Sequence, residues 1–319
     1  MKRALLIDAL NMYYRAYIVD PTLSLNGDPV GGLVGFLKIL QKLVRETKPD
    51  QIIIAWDGAG GSRRRRAINK NYKEGRKPIR LNRTVENLSE QEEFENKIWQ
   101  QTRLIQYMNE MPVCQLMLPN IEADDVIAHI VGMPQLKNTQ KVIISSDKDF
   151  IQLCNDETVL YRPVQKEVMT KKTIVENFKI HPNNFALARA ISGDQSDNLK
   201  GVGAVGLKTI AKRLPMLKEE KFYTLDEVLE HCKSEDNDLK VYRNIIEKQD
   251  LVRENYKIMQ LYAPLFSIQN KDKIGQTLKD SCNEFNKTEV IKLMMEDGIG
   301  AYDWNTLFTT FRRIIRDNA

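Results

Sequence analysis

The chain has 319 residues, 42% of them hydrophobic, which allows a large core and one or two domains. Its net charge of +5 does not by itself mark a nucleic-acid binder, and the four cysteines (Cys114, Cys154, Cys232, Cys282) form no CxxC pair, so they read as free thiols in a reducing, cytoplasmic setting. The start MKRALLIDAL has an apolar run broken by Asp8 and is no signal peptide, and no apolar run approaches the roughly 20 residues a membrane span needs.

Along the chain, ALLI, IIIAW and VIIS are β-branched runs, short enough to be buried parallel strands. Between the first two, Leu33, Leu37, Leu40 and Val44 of GGLVGFLKILQKLVRETK fall on one helical face. Strand, helix, strand implies right-handed crossovers and an open α/β sheet. After Asp57 this pattern breaks. From Gly60 to Arg83 there are ten Lys/Arg residues and one acid, Glu74, with no apolar period. A helix is predicted from about Ser89, which forms a capping box with Glu92, and Phe94, Ile98, Ile105 and Met108 give it an apolar stripe. The basic segment and this helix form a long excursion from the sheet, the kind of segment that acts as a lid or stays disordered. Past about Pro182 only helical patterns remain: FALARAISG, GLKTIAKRL, LDEVLEHC, LKVYRNIIEKQDLVRENYKIMQLY and TEVIKLMMEDG. Lys233 to Asp238 reads as a polar linker, and FRRIIRD as a surface helix.

Carboxylates cluster at the ends of the apolar runs. Asp8 follows the first, Asp57 the second, and Asp147 and Asp149 the third. Ligands of open α/β sheets bind beyond the carboxyl ends of the strands, which is where these acids fall. Glu122, Asp124 and Asp125 open a helix whose Val126, Ile127 and Ile130 face the core, and Asp194 and Asp197 precede a Gly-rich turn. An acid at a helix start is often only a cap, and a lone Asp after a strand only a turn residue. Nine acids in five such motifs are harder to explain that way. Crowded carboxylates repel, and Mg²⁺ or Mn²⁺ relieves that cost, so an oxygen-only set points to phosphate chemistry.

Gly201, Gly203 and Gly206 fit GxGxxG, but no strand precedes them, which rules against a dinucleotide site. A helix–hairpin–helix turn suits them better, with free N–H groups for a backbone phosphate and Lys208 and Lys212 on the helix that follows; a plain Gly-rich turn is the alternative. Arg63, Arg64, Arg65, Arg66 and Lys70, with Lys73, Arg76 and Lys77, suit a phosphodiester backbone, and Tyr72 beside them suits base stacking. Taken alone, this charge run would read as a solvated face. His129 reads as a packing residue rather than a ligand.

LLIDALNMYYRAY, NYKEGRK, EADDVIA, SSDKDFIQL and SGDQSDNLKGVGAVGLKTIAK occur in an order and spacing that resembles the 5′→3′ structure-specific nuclease family. That family includes flap endonucleases, the 5′-nuclease domain of bacterial DNA polymerase I and freestanding phage exonucleases. The resemblance runs from Asp8 to about Leu214. It implies a PIN-like α/β core over residues 1–182 with a mainly parallel sheet and an arch over about 60–113. It also implies a helical part over 183–319, with a helix–three-turn–helix DNA-binding element at about 190–214. By position, Asp8, Asp57, Glu122 and Asp124 would serve one Mg²⁺, and Asp125, Asp147, Asp149, Asp194 and Asp197 a second, with Mn²⁺ as a substitute and K⁺ at the Gly-rich turn. Lys73 and Arg76 match the family's cations at the scissile phosphate, Arg15 its phosphate-steering arginine and Tyr72 its stacking aromatic. Lys200 stands where Pro is common, the Arg63–Arg66 run is unusually basic, and Gly58 to Gly61 reads as a loose segment.

The resemblance implies a freestanding, monomeric, Mg²⁺-dependent hydrolase that cuts near single-strand/duplex junctions. Its substrates would be 5′ flaps, nicks, forked duplexes and RNA primers on DNA, in replication and repair. A single-strand binding protein or sliding clamp is carried as a partner. Two other readings remain at this stage: a PIN-type ribonuclease, and a non-catalytic junction-binding protein that has kept the fold.

Overall fold

The computed structural model describes residues 1–85, 88–234, 239–280, 284–300 and 302–316; the linker expected at 233–238 lies largely outside them, as does Cys282. The chain is an α/β protein built on a six-stranded sheet of order β3-β2-β1-β4-β5-β6. Its strands are β1 (Lys2–Asp8), β2 (Gln51–Trp56), β3 (Cys114–Met117), β4 (Thr139–Ile144), β5 (Thr158–Arg162) and β6 (Glu167–Met169). The first five are parallel, and β6 returns antiparallel on β5. The three central strands are the β-branched runs, buried on both faces: Leu5, Leu6 and Ile7 of β1, Ile54 and Ala55 of β2 and Ile143 and Ile144 of β4 are fully enclosed. The remaining strands, β3 and β6 at the edges and β5 beside β6, are shorter or half-exposed and carry no such run, so their pattern is not legible in the sequence.

Helices α1 (Ala9–Val19), α2 (Gly31–Thr47), α3 (Arg63–Ile68), α4 (Glu90–Asn109) and α5 (Ala123–Val131) are interleaved with the sheet. They are followed by α6 (Lys171–Phe178), α7 (Pro182–Ser192), α8 (Leu207–Arg213), α9 (Leu225–Ser234), α10 (Lys240–Glu247), α11 (Gln249–Met259), α12 (Ile268–Lys279), α13 (Lys287–Glu296), α14 (Trp304–Thr310) and α15 (Arg312–Arg316). Two apolar cores lie on opposite faces of the sheet, and both draw on residues from either side of position 182. One joins α5 to α7, α8 and α11; the other joins α1, α2 and α4 to α13 and α14.

The basic segment contains α3, which has no apolar period to announce it. Ser89 does cap α4 through a full capping box with Glu92. The stripe predicted for α4 is half wrong, however. Met108 is buried, but Phe94 and Ile98 are exposed, and α4 instead buries Gln100, Leu104, Tyr107 and Met108. Gln100 is accepted there because its amide donates to the Pro29 carbonyl at 2.9 Å and its oxygen takes the Leu33 N–H at 3.1 Å. The long helical run after Leu239 is broken at Lys248 into α10 and α11.

A candidate metal centre and nucleic-acid interface

Parallel strands bring all their carboxyl ends to one edge of the sheet. The chain leaves β1 for β2 on one side and later returns to β4 on the other, so a switch point lies between β1 and β4. Asp8 ends β1 there and caps α1, accepting the Asn11 N–H at 3.2 Å. Ser145, just past β4, donates to the other Asp8 oxygen at 3.0 Å and accepts the Asp147 N–H at 3.1 Å. Asn11 accepts the Ser146 N–H at 3.0 Å, which closes the gap between the two strand ends. Asp57 follows β2 and accepts the Ala123 N–H of the first turn of α5 at 2.7 Å. Asp147 caps a short 3₁₀ turn, Lys148–Leu153, by accepting the Asp149 N–H at 2.8 Å.

Asp8, Asp57, Glu122, Asp124, Asp147 and Asp194 line a cleft of about 470 Å³ together with Lys73, Arg76 and Arg189. The other three acids lie in the wall behind it, each against an arginine. Asp125 has an oxygen 3.3 Å from Arg65 Nη2, Asp149 accepts from Arg189 Nε at 3.1 Å, and Asp197 takes a close contact from Arg76. Oxygens of Asp149, Asp194 and Asp197 lie within 4.8 Å of one another, spacing suited to a shared cation. The nine acids that the sequence scatters over five motifs therefore meet around one cleft.

Such crowding is electrostatically costly. Burial, and then the charge of Asp57, push the Asp8 carboxyl up to about 7 from 3.8. Burial, and then Asp147, push Asp149 up to about 8, against the pull of Arg189. Burial also raises Asp147. Burial and then Asp124 raise Asp125 to about 6. Burial acts the same way on Asp194, but Arg189 and two hydrogen bonds from Ser196 outweigh it and hold this carboxyl low.

Of the expected cations, Lys73 and Arg76 sit at the cleft with acids as partners. Lys73 Nζ donates to Glu122 Oε1 at 2.6 Å, and its own left-handed backbone (φ 59°) directs its N–H to the Asp197 carbonyl at 2.9 Å. Arg76 Nε donates to the Ser196 carbonyl at 3.0 Å. Arg63 reaches Asn120 at 3.2 Å, while Arg66, Lys70 and Lys77 are exposed and Arg64 is half-buried. Arg15 is half-buried on α1 and does not line the cleft. Lys208 and Lys212 are exposed on α8 beside the open positions Gly203 and Gly206.

Three expectations are corrected. Tyr72 is 3% exposed and packs in the core with its hydroxyl 3.4 Å from Glu122 Oε2, so it presents no face to a base. Arg65 is buried among Glu122, Asp124 and Asp125 and is withdrawn from any nucleic-acid backbone. Gly201, at the start of the expected turn, is required by packing. A Cβ there would lie 2.0 Å from the Ser192 carbonyl oxygen, so this glycine allows the turn to cross the end of α7. The Gly58–Gly61 stretch is likewise not loose: a Cβ at Gly58 would lie 1.7 Å from the Leu118 carbonyl oxygen. His129 packs on Phe266, its ring 4.9 Å away, as expected for a packing residue.

Arg189 was not singled out from the sequence, although it pairs with both Asp149 and Asp194. Its signal was an arginine inside the otherwise apolar helix FALARAIS, where an unpaired charge would be intolerable. Ser145 and Asn11 carried no comparable signal.

Comparison with known proteins agrees with this geometry. Residues 3–179 match the family described as 5'-3' exonuclease, N-terminal resolvase-like domain, and the chain belongs to that family. It is a nuclease. Among curated relatives, the 5'-3' exonuclease of Aquifex aeolicus is 27% identical over 270 residues, covering 83% of each chain. The thermostable DNA polymerase I of Thermus aquaticus is 30% identical over 213 residues, or 66% of this chain and 24% of that longer protein. Among solved structures, the T5 D15 protein co-crystallized with metal ions superposes with a TM-score of 0.63 at 15% identity, covering 98% of both chains. Human GEN1 in complex with Holliday junction DNA gives 0.53 at 11% identity, covering 97% of this chain and 72% of that one. At these identities the structural likeness speaks for the fold.

Proposed function

We propose that this chain is a Mg²⁺-dependent 5′-nuclease that hydrolyses phosphodiesters of DNA at single-strand/duplex junctions, removing 5′ flaps or RNA primers. The observation that carries this is the convergence of nine carboxylates at the carboxyl edge of the sheet, around a cleft rimmed by Lys73 and Arg76. The donor set is all oxygen, as hard divalent cations prefer, and Asp8 at about 7 and Asp149 at about 8 are carboxyls that ionise poorly near neutrality without added positive charge. Asp8, Asp57, Glu122 and Asp124 would hold one ion, and Asp147, Asp149, Asp194 and Asp197 a second; Asp125, expected with the second, lies against Arg65 behind the cleft. When bound, such ions lower the pKa of water and offset charge on the departing oxygen.

The chain's own residues do the rest. Lys73 and Arg76 can turn from Glu122 and Asp197 to a phosphate and stabilise the charge that builds on it. Exposed Arg66, Lys70 and Lys77 of the basic segment, and Lys208 and Lys212 of α8, give a nucleic-acid backbone positive ground. K⁺ at the 201–206 turn belongs to the same reading and would show as a loss of DNA affinity when Na⁺ replaces it. The T5 D15 flap endonuclease structure with DNA and metal ions, similar in fold, supports the substrate class.

The test is a 5′-labelled flap, a nicked duplex and a single-stranded RNA, each incubated with Mg²⁺. The wild-type chain should cut the flapped DNA, and Asp147→Asn with Asp149→Asn should bind it without cutting. Cleavage by that double variant would disprove the site; preference for the RNA would favour a PIN-type ribonuclease.

A further inference from the structure

Among the charges of this site, Arg65 has no part in the chemistry above, yet it is the most deeply held cation in it. Its side chain is 7% exposed. Nε donates to the Ile258 carbonyl of α11 at 3.0 Å. Nη1 contacts Glu122 and donates to Asp124 Oδ1 at 3.1 Å. Nη2 lies 3.0 Å from Asp124 Oδ2 and 3.3 Å from Asp125 Oδ1. A guanidinium stays charged at any working pH, and burying one costs several kcal/mol unless it is fully paired. Here the pairing spans all three acids of the EADD motif, and the fork meets Asp124 end-on, through Nη1 and Nη2.

Asp125 differs from the other acids. It is 8% exposed, does not line the cleft, and falls outside the Asp149, Asp194 and Asp197 cluster. The charged partner in contact with its carboxylate is Arg65. Glu122, by contrast, is shared with Lys73, and Asp124 faces the cleft.

We propose that Arg65 is a built-in cation that takes the place of a metal ion for Asp125 and orients Glu122 and Asp124 towards the cleft. Asp125 is then the anchor of a positioning arginine and not a metal ligand. The arrangement also ties the root of the basic segment to α11, with Asn69 donating to Glu254 at 2.8 Å one turn further on. The inference rests on the reading that the remaining acids bind divalent ions.

Mn²⁺ binding to the full chain, counted from the electron paramagnetic resonance of the free ion, tests it without DNA. Asp125→Asn is isosteric and keeps an acceptor for Nη2. It should leave the number of bound ions unchanged and their affinity within about twofold, whereas loss of an ion, or weakening beyond about tenfold, would make Asp125 a ligand and overturn the proposal. Arg65→Gln removes a positive charge a few ångströms from the cleft and should tighten Mn²⁺ by at least about fivefold. Unchanged or weaker binding by a folded Arg65→Gln would reduce Arg65 to a strut. Arg65→Lys keeps the charge but loses the fork; it should bind Mn²⁺ like the wild type while single-turnover cleavage falls about 10- to 100-fold. Wild-type cleavage rates in Arg65→Lys would refute the orienting role. A wild-type chain that bound no Mn²⁺ would sink the metal-centre reading itself, a result distinct from all of these.

Discussion

Asp8→Asn should make the metal-free protein more stable while disabling it. The Asp8 carboxyl is held at about 7, against 3.8 in the unfolded chain, by burial and by Asp57. Raising an acid in this way gives stability that is complete below the unfolded value and is lost as pH rises through about 7. At roughly 1.4 kcal/mol for each pH unit of displacement, the ionised group costs the fold about 4 kcal/mol at pH 8. The carboxylate faces the open cleft, so that figure is an upper bound, and about 2 kcal/mol is a fair expectation. Asparagine keeps the cap on Asn11 and can still bond Ser145, whose hydroxyl turns from donor to acceptor. Urea unfolding in chelator at pH 4 and pH 8 separates the contributions. The variant should gain about 2 kcal/mol over wild type at pH 8 and little at pH 4. Saturating Mg²⁺ should then reverse the order at pH 8, because a ligand at about 100 times its Kd adds about 2.7 kcal/mol to wild type alone. A gain of equal size at both pH values, or none at pH 8, would refute the argument that charge crowding destabilises the site.

Arg189→Met leaves Asp149 and Asp194 without their shared partner and should cost about 3–5 kcal/mol at pH 8 in chelator. The loss should shrink below pH 6, where Asp149 is neutral, and urea melts across that range check it. Lys73→Ala should lower single-turnover cleavage about 100-fold and DNA affinity far less; a large affinity loss with unchanged cleavage would make Lys73 a binding residue only. Tyr72→Ala should cost about 3–5 kcal/mol of stability, as for any buried aromatic. Tyr72→Phe should be nearly neutral for both stability and DNA affinity, and a Tyr72→Ala variant that folded normally but bound DNA poorly would restore the stacking role.

Much of the site was legible because it is written in local patterns. Short β-branched runs such as IIIAW and VIIS read as buried strands, and a parallel sheet sends every strand's carboxyl end to the same edge. Asp8, Asp57 and Asp147 were placed from that rule alone. The capping boundary at Ser89 was equally local, because the side chains that make it are three residues apart.

Other features were decided elsewhere in the chain. The face that α4 buries depends on where α2 and the Pro29 carbonyl lie, so a polar Gln100 enters the core while Phe94 and Ile98 remain outside. Arg63 to Arg66 are one charge run in the sequence; in the fold, the helical turn of α3 sends Arg65 inward to three acids some 60 residues away and leaves Arg66 in solvent. Tyr72 looked like a stacking residue and is a core residue for the same reason. The sequence by itself determined which strands form and which acids stand at their ends, since hydrophobic period and chain direction are properties of a segment. Only the tertiary structure decided which cation neutralises which acid, because that depends on distances between segments that no local pattern encodes.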